Sequence, residues 1–306
     1  MKYIFLILGL VCLQVNGEIH LFRPDLFQQD LVSTEQFAYE LIKQNQIKDQ
    51  IEYVAYPWAV LINQNLLHTV PELKIENGYT VCQHIRYEKI IPILIKMGVK
   101  FLFTPHVDKD YAGITVLPFP HLAVNGINAQ NVHKDIWASF VGAEYTHFTR
   151  VQIFKLFAND RRFVLLNRGK TWHFYLPEHE LAQNAQEYQE ILARSRFALC
   201  PRGTGASTIR FWESLQAGSI PVLIANDMRL PTFFDWDTCI IKIKETEIHL
   251  IPEILESISL EEEQNMREKC LIAYDQFSNH NFISPITKLN NISRSNKQES
   301  GEHKNA

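Results

Sequence analysis

FALCPRGTGASTIRFWESLQAGSIPVLIAND, residues 197–227, runs from an apolar strand through a glycine turn into an amphipathic helix, then through a glycine stop into a second apolar strand. Pro201 cannot donate to a sheet ladder, so the first strand ends there. Gly203 and Gly205 allow a turn into which a ligand can approach closely. Ser207 or Thr208 is placed to cap the helix, and Gly218 to end it in the left-handed conformation. The unit is βαβ, which places both strands in a parallel sheet. A helix N-terminus presents unpaired amides and the positive end of its dipole, so the turn is suited to an anion. Arg202 sits at that turn and Arg210 one turn into the helix, and guanidinium forks match phosphate oxygens. Glu213, three residues beyond Arg210, suits ribose hydroxyls or the orienting of Arg210. Two other readings of this stretch stand: an Arg210–Glu213 surface pair worth a few tenths of a kcal/mol, or a dinucleotide site built on GTGAST with Asp227 on the ribose. The second leaves both arginines without a role.

Working outward, strand-like and helix-like runs alternate on both sides. EIHLF, YVAYPWAVLIN, YTVCQHI, VKFLFTP and ITVLPFPH are strand-like, TEQFAYELIKQNQI has helical spacing with Thr34 as N-cap, and RYEKIIPILIKMG reads as a helix interrupted by Pro92 and stopped by Gly98. After a break near residues 125–135 the pattern restarts with WASFVGA, TRVQIFKLFAN, RFVLLN and EYQEILARS, and it closes with TCIIKIK and helices over 247–258 and 260–276. The expected fold class is therefore α/β, two Rossmann-like α/β/α domains facing a cleft, over residues 18–133 and 134–285. Residues 286–306 contain few apolar groups and are expected to be a disordered tail.

The chain has 306 residues with a net charge of −4, so it carries no basic field of the kind nucleic-acid binding uses. Any bound anion must be held locally. MKYIFLILGLVCLQVNG, residues 1–17, reads as a signal peptide, too short for a span of about 20 residues; a buried first strand or an early start codon is the alternative. Membrane association, if any, is then not by a full span. Without Cys12 the cysteines are Cys82, Cys200, Cys239 and Cys270, an even number that fits an oxidising compartment. No C-x-x-C pair exists, and H-x-D-x-D at 106–110 lacks a third-ligand pattern, so no metal is expected. Cys82 and His84 share one strand face, and a structural role is expected for them.

The segment LCPRGTGASTIRFWESLQAGSIPVLIANDMRLP resembles the signature of the exostosin family of glycosyltransferases, in a P-R-G turn, S/T-x-R-x-x-E-x-L-x-x-G, I-P-V and a downstream L-P. Pro201, Arg202, Gly203, Thr208, Arg210, Glu213, Leu215, Gly218, Ile220, Pro221, Val222, Leu230 and Pro231 carry it, and a looser likeness extends over about residues 160–260. After P-R-G this chain has Thr204 and Gly205 where the family has more positive charge. The resemblance implies a GT-B architecture and inverting transfer from a UDP-sugar to a glycan acceptor, with no cofactor beyond the nucleotide-sugar co-substrate. It also places NRGKTWHF in the family's cationic stretch, with Arg168 and Lys170 facing the same phosphates.

In that reading Arg168, Lys170, Arg202, Gly203, Ser207, Thr208, Arg210 and Glu213 bind the donor, and Gly142 leaves room for nucleotide or acceptor. An inverting transfer needs a base for the acceptor hydroxyl. His106, Asp108, Asp110 and His121 follow strand ends on the N-terminal side and are alternative candidates. A dinucleotide-dependent oxidoreductase and a non-catalytic sugar-binding protein are the competing functions. A UDP-sugar is available in the cytoplasm or in an endomembrane lumen, where the NIS at Asn291 would be a glycosylation acceptor; either compartment fits.

Overall fold

The computed structural model describes residues 17–29, 33–45, 51–129, 132–169 and 177–289. The signal-peptide reading, Cys12, Lys170 and Asn291 fall outside them. Two five-stranded sheets are present, each parallel throughout. The first runs β1 (Ile19–Leu21), β2 (Glu52–Ala55), β3 (Gly78–Val81), β4 (Val99–Thr104) and β5 (Thr115–Pro118) in sequence order. The second holds β6 (Ile136–Gly142), β7 (Phe163–Asn167), β8 (Ser195–Pro201), β9 (Ile220–Ile224) and β10 (Ile241–Lys242), ordered β10-β9-β8-β6-β7. Two α/β units with parallel sheets are thus present, as the alternation of strands and helices in the sequence predicts.

Alternation along the first sheet builds its two faces. Val54, Cys82, Leu102 and Val116 point to one, where α2 (Trp58–Asn63) and α3 (Ile91–Met97) cover them. Tyr53, Ala55, Tyr79, Val81 and Phe103 point to the other, under α1 (Thr34–Gln44). YVAYPWAVLIN is not one strand: β2 stops at Ala55, and Pro57, with its fixed φ, starts α2. Pro92 likewise lies in the first turn of α3 rather than interrupting it, and Gly98 ends that helix at φ 92°. A Cβ there would lie 1.9 Å from the Ile75 carbonyl oxygen.

In the second domain α4 (Phe148–Phe157) follows β6, α5 (Glu178–Arg194) precedes β8, and α6 (Ile209–Gln216) joins β8 to β9. Phe211 and Leu215 of α6 pack into a core shared with Phe140, Phe197 and Leu199, all fully buried. Gly218, at φ 57°, ends α6 as its position predicts. Beyond α7 (Ile251–Glu256), α8 (Leu260–Phe277) lays Ala273 and Phe277 on the same core. The chain then returns to the first domain. Phe282, Ile283 and Ile286 are buried against Phe37, Tyr79 and Phe119, so residues 286–289 are packed structure rather than tail; three apolar groups in helical register fill the groove beside α1. All four described cysteines are buried and none forms a disulfide among the described residues. Among those residues no helix is long and apolar enough to cross a membrane.

Candidate active site

Both sheets turn their C-terminal ends toward one cavity of about 650 Å³, the crevice position where parallel α/β sheets bind ligands. Helix α2 and the loops after β3, β4 and β5 form one wall, and the loops after β6 and β8 with residues of α4, α5 and α6 form the other.

The second-domain wall is built around Phe140. The Arg210 guanidinium carbon lies 4.5 Å from the centre of that ring and 5.8 Å from the Tyr188 ring, and Nη2 donates to the Val141 carbonyl. Its Nε is buried and has no hydrogen-bond partner. Gly142 gives this side chain its place: a Cβ at 142 would stand 2.9 Å from Arg210 Nη2. The room that Gly142 leaves is therefore occupied by Arg210, not by nucleotide or acceptor directly.

A second guanidinium, Arg150 in the first turn of α4, lies 5.5 Å from the same ring. Its Nε donates to the Arg202 carbonyl at 2.9 Å and Nη1 to the Ala143 carbonyl at 3.2 Å. Burial first, and then the nearby Arg210 charge, bring its pKa down to about 9. Among the described residues neither arginine pairs with a carboxylate. Two cations over one ring, repelling each other and without a counter-ion, make a site suited to an anion of two charges.

Thr208 occupies the N-cap of α6 in extended conformation, yet its hydroxyl makes no capping bond. The first amides of the helix thus add to the same pole of the cavity. Gly203, Ser207 and Thr208 line the cavity with Arg210 and Glu213. The Glu213 carboxylate is buried. It accepts the Asn125 amide at 3.2 Å, Asn125 Nδ2 at 2.6 Å and the Tyr188 hydroxyl at 2.5 Å. It is not half of a surface pair with Arg210.

Two sequence assignments move. Arg202 does not line the cavity; its Nη1 is 3.0 Å from Asp227 Oδ2 and 3.8 Å from Glu245 Oε1, so its charge is already matched. Asp227, the acid of the dinucleotide reading, is that partner and does not line the cavity. Arg168 turns to α5, where Asn184 and Glu187 receive it. Arg150 lines the cavity where they do not and was missed, although its context is like that of 197–210: a strand, a short connection, then an arginine in the first turn of a helix. Read alone, TRVQIFKLFAN shows only helical spacing.

On the first-domain wall the four base candidates separate. Asp108 accepts the Tyr87 hydroxyl at 2.5 Å and Asp110 pairs with Arg229 at 2.7 Å, both outside the cavity, because their loop leans on neighbours that satisfy the carboxylates. His106 and His121 line the cavity, with ring centres 5.0 Å apart at 74°. His106 Nδ1 accepts the Ser207 amide at 3.4 Å, a contact between the domains, whereas His121 Nδ1 is buried without a partner. A Cβ on Gly205 would lie 2.6 Å from His106 Nδ1, so glycine at 205 allows the two walls to meet. His84 also faces the cavity, held by Asn63 at 2.9 Å and the Arg86 amide at 2.9 Å. Cys82 beside it is buried in the core. Among the described residues Glu18, His20 and Glu52 could jointly ligate a metal, but they lie on the β1–β2 edge, outside the cavity.

Burial, and then the nearby His84, push the His106 pKa down to about 4, and burial lowers His121 in the same direction. The unfolded imidazole, at about 6.5, takes a proton that the folded one refuses. Stability is therefore full above pH about 6.5 and falls as pH drops toward 4. His106 alone costs about 3 kcal/mol over that window. Chemical denaturation at pH 7.5, 5.5 and 4.5 should show the decline, and His106→Asn should make it shallower, with the part due to His121 remaining.

The exostosin GT47 domain model matches residues 89–258, more than half of the chain. The chain belongs to the exostosin GT47 family. It is similar to the exostosin-1 homolog of Caenorhabditis elegans, 38% identical over 30% of this chain and 24% of that protein. It is also similar to the probable glucuronoxylan glucuronosyltransferase IRX7 of Arabidopsis thaliana, 26% identical over 63% of this chain and 42% of that protein. The match thus spans about a quarter to two fifths of these relatives' own length. Among solved structures the glycosyltransferase WaaG, involved in lipopolysaccharide biosynthesis, is similar at 11% identity and a TM-score of 0.44, covering 89% of this chain and 98% of that one. The exostosin match takes in β4, β5 and the second-domain wall with Arg150 and Arg210.

Proposed function

We propose that this exostosin-family chain is an inverting glycosyltransferase that moves a sugar from a UDP-sugar to a glycan acceptor, with Arg150, Arg210 and the N-terminal amides of α6 holding the diphosphate in place of a catalytic metal. One observation carries the reading: two half-buried guanidinium groups, without a carboxylate partner among the described residues, share the Phe140 ring beside a helix start whose Thr208 makes no capping bond. When the glycosidic bond breaks, positive charge grows on the sugar ring and negative charge on the leaving diphosphate. Fixed cations at that pole are worth most in the transition state, because they are already oriented in a site shielded from water. Glu213 faces the same cavity and suits ribose hydroxyls, which would replace Asn125 as donors to it. The acceptor hydroxyl approaches from the first-domain wall. There His121, kept neutral by burial and with Nδ1 unengaged, can receive its proton.

A thermal-shift series with UDP, GDP and NAD tests the ligand class. UDP at a hundred times its Kd should add about 2.7 kcal/mol of stability. A shift with NAD and none with UDP would instead support the oxidoreductase.

A further inference from the structure

Glu213 lines the cavity but is only 3% exposed, and among the described residues no lysine, arginine or histidine pairs with it. Hydrogen bonds orient this carboxylate, and they divide between its two oxygens. Oε1 accepts the Asn125 amide and Asn125 Nδ2, from the connection between β5 and β6. Oε2 accepts the Tyr188 hydroxyl at 2.5 Å. The two donors stand on unlike supports. Asn125 lies in an irregular, half-buried segment, where an incoming hydroxyl can take its place. Tyr188 belongs to α5, and its ring is buried in the second-domain core with Ile191 and Leu192. A rigid ring with a polar tip is suited to holding one acceptor at a fixed point. Burial, and then the Glu213 charge, hold the Tyr188 pKa well above the usual tyrosine value, so at neutral pH the hydroxyl keeps its hydrogen to donate. The same ring lies 5.8 Å from the Arg210 guanidinium carbon, so Tyr188 borders both the carboxylate and one of the two cations.

We propose that Tyr188 is a positioning residue, which pins Oε2 of Glu213 and so presents Oε1 to the ribose hydroxyls of the nucleotide. This rests on the nucleotide-sugar reading above and adds to it a residue that acts through Glu213.

UDP and its dideoxy analogue differ only in the two ribose hydroxyls, so the ratio of their affinities reads the contact with Glu213. Calorimetric titration of the full chain should show UDP preferred by at least about tenfold, the scale of a hydrogen bond to a charged group. Tyr188→Phe keeps the ring beside Arg210 and removes the hydroxyl. It should cut the preference by about threefold or more and leave the affinity for dideoxy-UDP unchanged, whereas general damage to the fold would weaken both ligands alike. Asn125→Ala removes the exchangeable donor to Oε1 and should keep the preference. A Tyr188→Phe variant with the wild-type preference, or with both ligands weakened equally, would overturn the inference and spare the diphosphate reading. So would a wild type that binds the two ligands equally, or an Asn125→Ala variant that loses the preference. Failure of UDP itself to bind would overturn the reading, and the inference with it.

Discussion

Arg210→Ala should lower kcat/KM for the donor by roughly 10²–10³, about 2.7–4 kcal/mol, the scale of removing one preorganised donor from a developing anion. The melting temperature should hardly move. Arg210 has no carboxylate partner to leave behind, and its removal frees Arg150 from a like charge that helps depress its pKa. Most substitutions of a buried charge destabilise the fold, so activity lost at constant stability separates a ligand-binding role from a structural one. Arg210→Lys should recover only part of the loss. An ammonium keeps the charge but neither lies flat on Phe140 nor presents a fork to two phosphate oxygens. Steady-state kinetics and a thermal melt on the same preparations check both halves.

Glu263→Ala should do the reverse. Arg196 and Arg267 converge on this carboxylate from β8 and α8, and its side chain is only 2% exposed. Deleting it strands two half-buried guanidinium groups beside each other. The expected loss is about 3–5 kcal/mol, a fall in melting temperature of roughly 6–20 °C. The group lies outside the cavity, so kcat per folded molecule should be unchanged. Glu263→Gln, which keeps the shape and one acceptor, should lose less. Differential scanning fluorimetry alongside an activity assay near room temperature distinguishes this variant from Arg210→Ala.

What could be read in the sequence was local. The turn, the helix face, the stop at Gly218 and the returning strand all follow from neighbours within a few residues, and the structure has each of them; Thr208 takes the N-cap position but makes no side-chain capping bond. Misreadings arose where distant residues decide. Nothing near Arg202 announces that Asp227 and Glu245 will neutralise it, nor does the sequence bring Asn125 to Glu213 across 88 residues. Arg150 became part of the site only once β6 and β8 lay side by side and brought its guanidinium to the Arg202 carbonyl. The 56–62 run is apolar on every side, so periodicity could not separate strand from helix; Pro57 decides it. The burial of Ile286 depends on a groove formed by α1 and β3 of the other domain.

The central claim is that Arg150 and Arg210 together bind a diphosphate. Titrating UDP calorimetrically into the wild type, both single alanine variants and the double variant tests it most directly. The account predicts that each single variant binds UDP at least about tenfold more weakly, that the double variant shows no measurable heat, and that all four melt within a few degrees of one another. Wild-type affinity for UDP in the folded double variant would contradict it.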